Sequence, residues 1–449
     1  MNYVSTRDIK KHKVSASEAI AAGLAPDGGL YVPCEFPKLQ NYMGKSYQCI
    51  AADVLKLYLT DFSKKEIEEY VELAYGEDMP VKVNGQYLEL FHGRTSAFKD
   101  VALQLYPYLL TASLEKNNLS KTAVVLVATS GDTGSAVIAG MADVPNTRAI
   151  VFYPDGGVSE VQKLQMTTQE GNNISVFGIK GNFDDAQSAV KEIFEDASFK
   201  AKFSEKYIFT SANSINLGRL LPQIAYYFYA YSESGCSGEI NFAVPTGNFG
   251  NILAGYYAKK MGLPIKKLIC ATNSNNVLYD FITTGVYNKN RELKLTISPS
   301  MDILISSNLE RLLYDIGGCE NVISAYDSLK AKGKFEFKLS LPMFESEFVT
   351  EEETIETIRE VNNHEKLIID PHTAVAKNAY DKYKKRTVDN TAAMILATAS
   401  PFKFPAAIES ALGKVLQNPP ANITKLSGKP ILHNEVVSDI KKAVGGVLS

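Results

Sequence analysis

Two patterns of hydrophobic and polar positions divide the chain near residue 80. Before it, LAPDGGLYVP (Leu24 to Pro33) is rich in turn residues, and AADVLKLYLTDF and KKEIEEYVELAY have helical periodicity. After it, a strand, a glycine turn and a helix recur, as in TAVVLVATSGDTGSAVIAGMA and in RAIVFYPDG followed by VSEVQKLQM. The first pattern predicts a small N-terminal domain, and the second predicts parallel α/β architecture.

The clearest strand, loop and helix unit is INFAVPTGNFGNILAGYYAKKMG. It predicts a buried strand at Ile240 to Val244, a loop at Thr246 to Gly250 and a helix from Asn251 to Gly262. Free N–H groups and the helix dipole favour an anion at such a loop, and Gly247 and Gly250 let the main chain approach it. We therefore expect a phosphate site, although glycine-rich turns also serve simple packing.

A second candidate is the lysine in FHGRTSAFKD (Phe91 to Asp100), which follows a small polar run closed by an aromatic residue. A lysine that attacks a carbonyl must lose its proton, and burial is a usual way of lowering its pKa. The alternative is a solvated lysine at the start of a helix, which is the more common environment for this residue type. The segment alone does not decide whether Lys99 is reactive.

Composition narrows the class of protein. The 449 residues are 45% hydrophobic and 22% charged, which is typical of a soluble globular protein with two or three domains. The net charge of -3 does not favour nucleic-acid binding, which requires a basic excess.

Five scattered cysteines favour a reducing compartment over structural zinc, and we expect no metal. No secretory or membrane-spanning run is recognisable, so we expect no membrane association and a cytoplasmic location.

Other phosphate motifs fit less well. Neither GDTG nor GNFG extends to G-x-G-x-x-G, and Gly44 to Ser46 (GKS) lacks the upstream glycine and strand of a P-loop. A buried lysine, a phosphate loop and the second loop TSGDTG (Thr129 to Gly134) are together what pyridoxal phosphate requires. The combination is far more specific than any one of its parts.

These segments resemble the threonine synthases of the longer type found in fungi and enteric bacteria. The resemblance runs nearly end to end, through YVSTRD, APDGGLYVP, FHGRTSAFKD, TSGDTGSA, QKLQM, NSINLGRL, PTGNFGN, DPHTAVA and LATASPFKF. It implies the pyridoxal-phosphate fold of the tryptophan synthase β chain (fold type II), with two open α/β domains built on parallel sheets. Residues 1–80 would be the N-terminal threonine synthase domain and 81–449 the catalytic region, with a smaller subdomain at about 120–210 and a larger one formed by the remainder.

The resemblance also implies roles for single residues. Lys99 would hold the cofactor as a Schiff base, and Thr398 would face the pyridine nitrogen, where a hydroxyl can donate to a neutral nitrogen. The segment binding the cofactor phosphate would comprise Thr246, Gly247, Asn248, Phe249, Gly250 and Asn251.

The implied reaction converts O-phospho-L-homoserine and water to L-threonine and phosphate, the last step of threonine biosynthesis, by γ-elimination and β-addition of water. Lys99 would act as the base for the α proton and also for the β proton. We expect Arg219, or less favourably Lys163, to bind the substrate phosphate. Ser130 and Thr133 would bind the substrate carboxylate, and Asp132 between them would bind a hydroxyl, an N–H group or an ordering partner.

Some features depart from the family pattern. Ser400 and Phe402 stand where the family usually has histidine and alanine, and Leu217 and Gly218 also differ. His372 is interpreted as a capping or packing residue outside the site.

Two further hypotheses stay open beside threonine synthase. One is another lyase of the same fold, such as a threonine dehydratase or cysteine synthase, and the other is a relative that binds the cofactor without turnover. APDGGLYVP and the aspartate in TSGDTG favour threonine synthase over the other lyases, and the intact Lys99 weighs against the non-catalytic relative. A monomer and a homodimer are both consistent with the sequence.

Overall fold

The structure is a computed structural model, which describes residues 1–181, 183–338 and 342–449. Its strands are β1 (Tyr3–Ser5), β2 (Tyr31–Pro33), β3 (Lys82–Asn84), β4 (Tyr87–Glu89), β5 (Thr122–Ala128), β6 (Thr147–Pro154), β7 (Ile174–Ile179), β8 (Tyr207–Thr210), β9 (Ile240–Pro245), β10 (Ile265–Thr272), β11 (Val286–Asn288), β12 (Lys334–Glu336), β13 (Phe344–Phe348), β14 (Ala392–Ala397) and β15 (Val436–Val437).

Helices connect most of these strands. They are α1 (Ala16–Ala22), α2 (Tyr47–Tyr58), α3 (Lys64–Tyr75), α4 (Lys99–Leu103), α5 (Tyr106–Lys116), α6 (Asp132–Met141), α7 (Glu160–Thr167), α8 (Phe183–Glu195), α9 (Ala197–Ala201), α10 (Leu217–Leu220), α11 (Ile224–Glu233), α12 (Gly250–Lys260), α13 (Val277–Thr284), α14 (Leu309–Lys332), α15 (Glu351–His364), α16 (Pro371–Thr387), α17 (Pro405–Leu412), α18 (Ala421–Thr424) and α19 (Ile440–Leu448). None of the helices described is both long and apolar enough to cross a membrane.

Two sheets carry the main region. The larger has the order β13-β10-β9-β14-β4-β3 and is parallel except for the β3–β4 pair, and the smaller has the order β15-β7-β6-β5-β8 and is parallel throughout. The predicted α/β architecture with parallel sheets is thereby confirmed.

Alternate residues along a central strand enter different cores, as burial on both faces of a parallel sheet requires. In β5, Val125 and Val127 pack into the main core, whereas Val124 and Leu126 pack with residues of α19. After Thr122, the run AVVLVA is therefore apolar throughout instead of alternating with polar residues.

The N-terminal elements cover the main region. Helix α1 packs against α5, and α2 packs against α11. Both α1 and α3 start at a capping box, formed by Ser15 with Glu18 and by Ser63 with Glu66. In each box the serine hydroxyl accepts from the backbone N–H of the glutamate, and the glutamate side chain accepts from the backbone N–H of the serine. These local signals fix where the helices predicted from periodicity begin.

The C-terminal segment returns to the smaller sheet. Strand β15 pairs with β7, and Ile440, Val444 and Leu448 of α19 lie in the core that faces α8. The predicted subdomain at about 120–210 supplies β5 to β8 of this sheet, while β15 comes from the segment that the prediction gave to the larger subdomain. The domain boundaries themselves stay a prediction.

The loops that carry the candidate residues follow β5, β9 and β14. Carboxyl ends of parallel strands are where open α/β sheets bind ligands. Strand β9 extends through Pro245, and α12 begins at Gly250, one residue before the predicted start, because Phe249 takes a left-handed conformation with φ of 64°. The helix ends at Lys260, before the predicted Gly262.

Candidate active site

Lys99 is the first residue of α4, and its ammonium lies in a buried cluster. Its Nζ donates to Asp132 Oδ2 and to Ser300 Oγ, both at 3.3 Å, and the side chain is only 11% exposed. Burial lowers the pKa of Lys99, and the positive charges of Lys403 and Arg219 lower it further, while Asp132 opposes them. The alternative of a solvated lysine does not hold.

The polar run before Lys99 forms the turn that fixes its position. Buried Asp100 accepts from Thr95 N at 2.8 Å and from Thr95 Oγ1 at 2.6 Å. Ser96 adopts a positive φ of 58°, and Phe98 N donates to Thr398 O at 2.8 Å. The turn is therefore tied to the segment after β14, which brings Thr398 beside the start of α4.

Asp132, the first residue of α6, connects Lys99 to a second lysine. Its Oδ1 accepts from Gln162 Nε2 at 3.0 Å and forms an ion pair with Lys403 Nζ at 2.7 Å. The Lys403 side chain is fully buried and also donates to Thr95 O at 2.8 Å. Burial alone would raise the pKa of Asp132, but Lys403 and Lys99 more than offset it, so that the pKa lies well below its usual range.

The second loop, TSGDTG, is organised by its first threonine. Thr129 Oγ1 accepts from Gly131 N at 2.9 Å and from Gly134 N at 2.8 Å. Gly131 has φ of 128°, which side-chain-bearing residues rarely adopt. The hydroxyls of partly buried Ser130 and Thr133 have no protein partner within the described residues, so they are free to bind a ligand.

The loop after β9 is held by contacts with β10 and with the residues that precede α14. Thr246 N donates to Ala271 O at 2.8 Å. The carbonyl of Gly247 accepts from Ser306 Oγ at 2.6 Å, and that of Asn248 accepts from Asn308 N at 3.0 Å. These hydrogen bonds to the Gly247 and Asn248 carbonyls fix the position of the loop.

Arg219, on α10, is a buried cation with an unmet hydrogen-bond requirement. Its Nη1 donates to Ala212 O, but its buried Nε has no partner and the guanidinium has no carboxylate partner within the described ranges. Burial lowers the pKa of Arg219 to about 10. A buried, unpaired guanidinium is costly unless an anion binds to it.

Lys163 occupies a different environment. Its side chain is 40% exposed, and its Nζ pairs with Asp155 Oδ1 at 2.9 Å. The structure does not bring it into contact with Lys99 or Asp132. Two other residues of α7 reach the cluster: Gln162 donates to Asp132 Oδ1, and Gln165 Nε2 donates to Thr95 O at 2.9 Å.

Three models of known families match the chain. The model for pyridoxal-phosphate dependent enzymes matches residues 87–398, that for the threonine synthase N terminus matches residues 2–75, and that for the threonine synthase C-terminal region matches residues 373–444. The chain belongs to the threonine synthase family. The resemblance inferred from the motifs is thereby confirmed.

Individual relatives agree with the family models. The chain is 39% identical to threonine synthase of Eremothecium gossypii, with 91% of this chain and 89% of that protein covered. It is 40% identical to threonine synthase of Pseudomonas aeruginosa, with 92% and 90% covered. The crystal structure of pyridoxal-phosphate-bound threonine synthase from Brucella melitensis superposes with a TM-score of 0.91 at 38% identity, covering 100% of this chain and 98% of that one. The fold type II prediction is confirmed.

The side chains of this family member fit pyridoxal phosphate. Lys99 supplies an amine of lowered pKa, and Thr398 supplies a buried hydroxyl without a protein partner in the described part of the chain. Asn251 accepts from Tyr227 OH at 3.0 Å, but its buried Nδ2 has no partner there. These unused donors and acceptors suit a polar cofactor.

A side chain at Gly247 should weaken cofactor binding. A Cβ there would lie 2.7 Å from Ser300 O, closer than real contacts allow, so Gly247→Val must displace either the loop or the Ser300 segment. We expect the ratio of the cofactor's visible absorbance to protein to fall severalfold after gel filtration, with the fold largely retained. Gly238→Val, where a Cβ meets nothing within 4 Å, is the matched control. Full cofactor retention in Gly247→Val would move the phosphate site elsewhere.

Sequence reasoning missed Lys403, Gln162 and Ser300. Lys403 stands in the quoted segment LATASPFKF, but its approach to Asp132 depends on the short 3₁₀ turn Pro401–Lys403, for which no local signal was recognised. Ser300 lies in the turn Pro299–Met301, far from Lys99 in sequence.

His372 lies behind Ser300 without touching Lys99. Its Nε2 accepts from Ser300 N at 3.2 Å, and its Nδ1 lies 2.7 Å from Asp370 Oδ1. Its ring packs against Phe404 with centroids 5.0 Å apart. These contacts are those of the packing residue that was expected, and they also support the turn that carries Ser300.

Proposed function

We propose that the protein converts O-phospho-L-homoserine and water to L-threonine and inorganic phosphate. The observation that carries this proposal is the presence of an unpaired, buried Arg219 near the buried Lys99 of a threonine synthase family member. A substrate with its own phosphate requires an anion site in addition to that of the cofactor. A dehydratase or cysteine synthase would also use a lysine such as Lys99 and a loop for the cofactor phosphate, but it would not need a second anion site for a substrate phosphate.

Lys99 would hold the cofactor through its Nζ, and Thr246 to Asn251 would hold the cofactor phosphate. The N–H groups at the start of α12 favour an anion there, and Gly247 allows its close approach. Thr398 would bind the ring nitrogen through its hydroxyl, which donates to a neutral nitrogen. Bound in this way, pyridoxal phosphate supplies a sink for negative charge that develops at the substrate Cα.

The Lys99 amine would take the proton from the substrate Cα. It must be neutral to do so, and its lowered pKa increases the neutral fraction at physiological pH. Ser300 Oγ and Asp132 Oδ2 accept from the amine and thereby orient it. Departure of phosphate from Cγ with its bridging oxygen requires that Cβ also lose a proton, which Lys99 Nζ would accept. Water would then add its hydroxyl at Cβ, and protons would return to Cγ and Cα.

Arg219 would bind the substrate phosphate, because a planar guanidinium can donate two parallel hydrogen bonds to phosphate oxygens. Ser130 and Thr133 would donate to the substrate carboxylate, next to the first N–H groups of α6. Lys163 remains the weaker candidate for the phosphate, since Asp155 engages it and its side chain is partly in solvent.

We further infer a cytoplasmic enzyme, active as a monomer or homodimer and independent of nucleic acid or membrane. All five cysteines are free thiols, at Cys34, Cys49, Cys236, Cys270 and Cys319, which supports a reducing compartment.

One comparison of products tests the proposed function. The purified protein should release one phosphate per threonine formed from O-phospho-L-homoserine, and it should release little ammonia from L-threonine. Rapid ammonia release from threonine without phosphate release from the phosphorylated substrate would instead indicate a dehydratase. Binding of pyridoxal phosphate with neither reaction would indicate a non-catalytic relative.

A further inference from the structure

Lys403 has no role in the reaction described so far, although its position is unusual. It is a fully buried lysine whose Nζ, within the described part of the chain, contacts Asp132 Oδ1 at 2.7 Å and Thr95 O at 2.8 Å. A buried ammonium is retained only where its charge is balanced and its hydrogen bonds are made. Asp132, which balances it, is the same carboxylate that accepts from Lys99.

The two oxygens of Asp132 have different partners. Oδ1 binds Lys403 and Gln162, and Oδ2 faces Lys99 and the hydroxyl of Ser300. One side of the carboxylate is thus anchored while the other orients an amine. An Asp132 without Lys403 would place an uncompensated negative charge beside Lys99, which would hold a proton on that amine.

We propose that Lys403 is a positioning residue that anchors Asp132 and balances its charge, so that Asp132 can orient the Lys99 nitrogen without holding a proton on it. This inference rests on the proposed function only in assigning the cofactor to Lys99. It does not depend on the identity of the substrate.

The charged groups that act on Lys99 are Asp132 on α6, Lys403 on the turn after β14 and Arg219 on α10. Asp132 favours the protonated form of the amine, while Lys403 and Arg219 disfavour it. Ser300 and Phe98 complete its described contacts with an uncharged hydroxyl and a ring at 4.9 Å. Removal of the Lys403 charge should therefore favour the protonated form of the Lys99 amine.

The test is a pH titration of the visible absorption of the full-length, cofactor-loaded protein. In Lys403→Met the midpoint should rise by about one pH unit or more, because a positive charge is lost near the Lys99 nitrogen and Asp132 is left unbalanced. In Asp132→Asn the midpoint should fall. In the double variant Lys403→Met/Asp132→Asn, where both charges are absent, it should return towards that of the parent.

The control is Lys414→Met, which removes an exposed lysine of the same region and should leave the midpoint unchanged. A purely structural role for Lys403 predicts lower cofactor content or Tm with an unchanged midpoint, and that result would overturn the proposal. An equal rise in Lys403→Met and the double variant would also overturn it. If Lys403→Met does not fold, the proposal is tested by Asp132→Asn alone. An unchanged or raised titration midpoint in Asp132→Asn would show that the Asp132 charge does not act on the Lys99 nitrogen, and it would overturn the proposal.

The spectroscopic result can be separated from the proposed function. Failure of the parent protein to form threonine would reject the substrate but would leave the midpoints of the variants interpretable. Conversely, unchanged midpoints would reject the role of Lys403 while leaving the phosphate and threonine measurements intact.

Discussion

Replacement of Lys99 by alanine should lower kcat/KM for O-phospho-L-homoserine by about three orders of magnitude or more, because both covalent attachment of the cofactor and the base for the Cα proton are lost. The measurement is phosphate release under saturating pyridoxal phosphate, so that weak cofactor binding alone cannot explain the loss. Lys64→Ala, which removes an exposed lysine at the start of α3, is the control and should behave as the parent.

Chemical labelling gives the same prediction a second readout. Borohydride reduction of the loaded protein should leave the cofactor attached to the peptide that contains Lys99, and the Lys99→Ala protein should carry no such label. Attachment to a different lysine, or near-parent turnover in Lys99→Ala, would show that another residue holds the cofactor.

Arg219→Lys should lower kcat/KM by about ten- to a hundredfold. Lysine keeps the positive charge but loses the planar pair of donors, and a charge-assisted hydrogen bond of this kind is worth roughly 1.5–3 kcal/mol. The visible spectrum of the bound cofactor should be retained, because Arg219 is assigned to the substrate and not to the cofactor. Steady-state kinetics and absorption spectra of the same preparation measure both effects.

Lys163→Ala is the informative comparison for Arg219. We expect little change in the kinetics of Lys163→Ala, since Lys163 pairs with Asp155 at the surface. Parent-level kinetics in Arg219→Lys together with a large loss of activity in Lys163→Ala would show that Lys163, and not Arg219, binds the substrate phosphate. Loss of the cofactor in Arg219→Lys would assign Arg219 to the cofactor site or to the fold.

Local sequence was sufficient where a feature is built from consecutive residues. The strand, loop and helix around Gly247 follow from an apolar run, two glycines and a helical pattern, and the observed bounds differ from the predicted ones by only a few residues. The Thr95–Asp100 contacts that fix the turn before Lys99 lie within FHGRTSAFKD, but that segment alone did not decide between a buried and a solvated lysine.

Features that depend on distant segments were not predictable in this way. The Lys403–Thr95 hydrogen bond spans 308 residues and the Lys99–Ser300 contact spans 201, so no periodicity connects these side chains. The return of β15 and α19 to the smaller sheet is a further case, because the two-residue strand Val436–Val437 has no recognisable pattern. Tertiary packing alone decides which of several lysines is buried.

The fate of the oxygen atoms tests the central claim most directly. When the protein acts on O-phospho-L-homoserine in water enriched in oxygen-18, mass spectrometry should find one labelled oxygen in L-threonine and none in the phosphate, because the bond from Cγ to oxygen breaks and water adds at Cβ. Labelled phosphate accompanied by unlabelled homoserine would mean that water attacks phosphorus instead, and it would contradict the account.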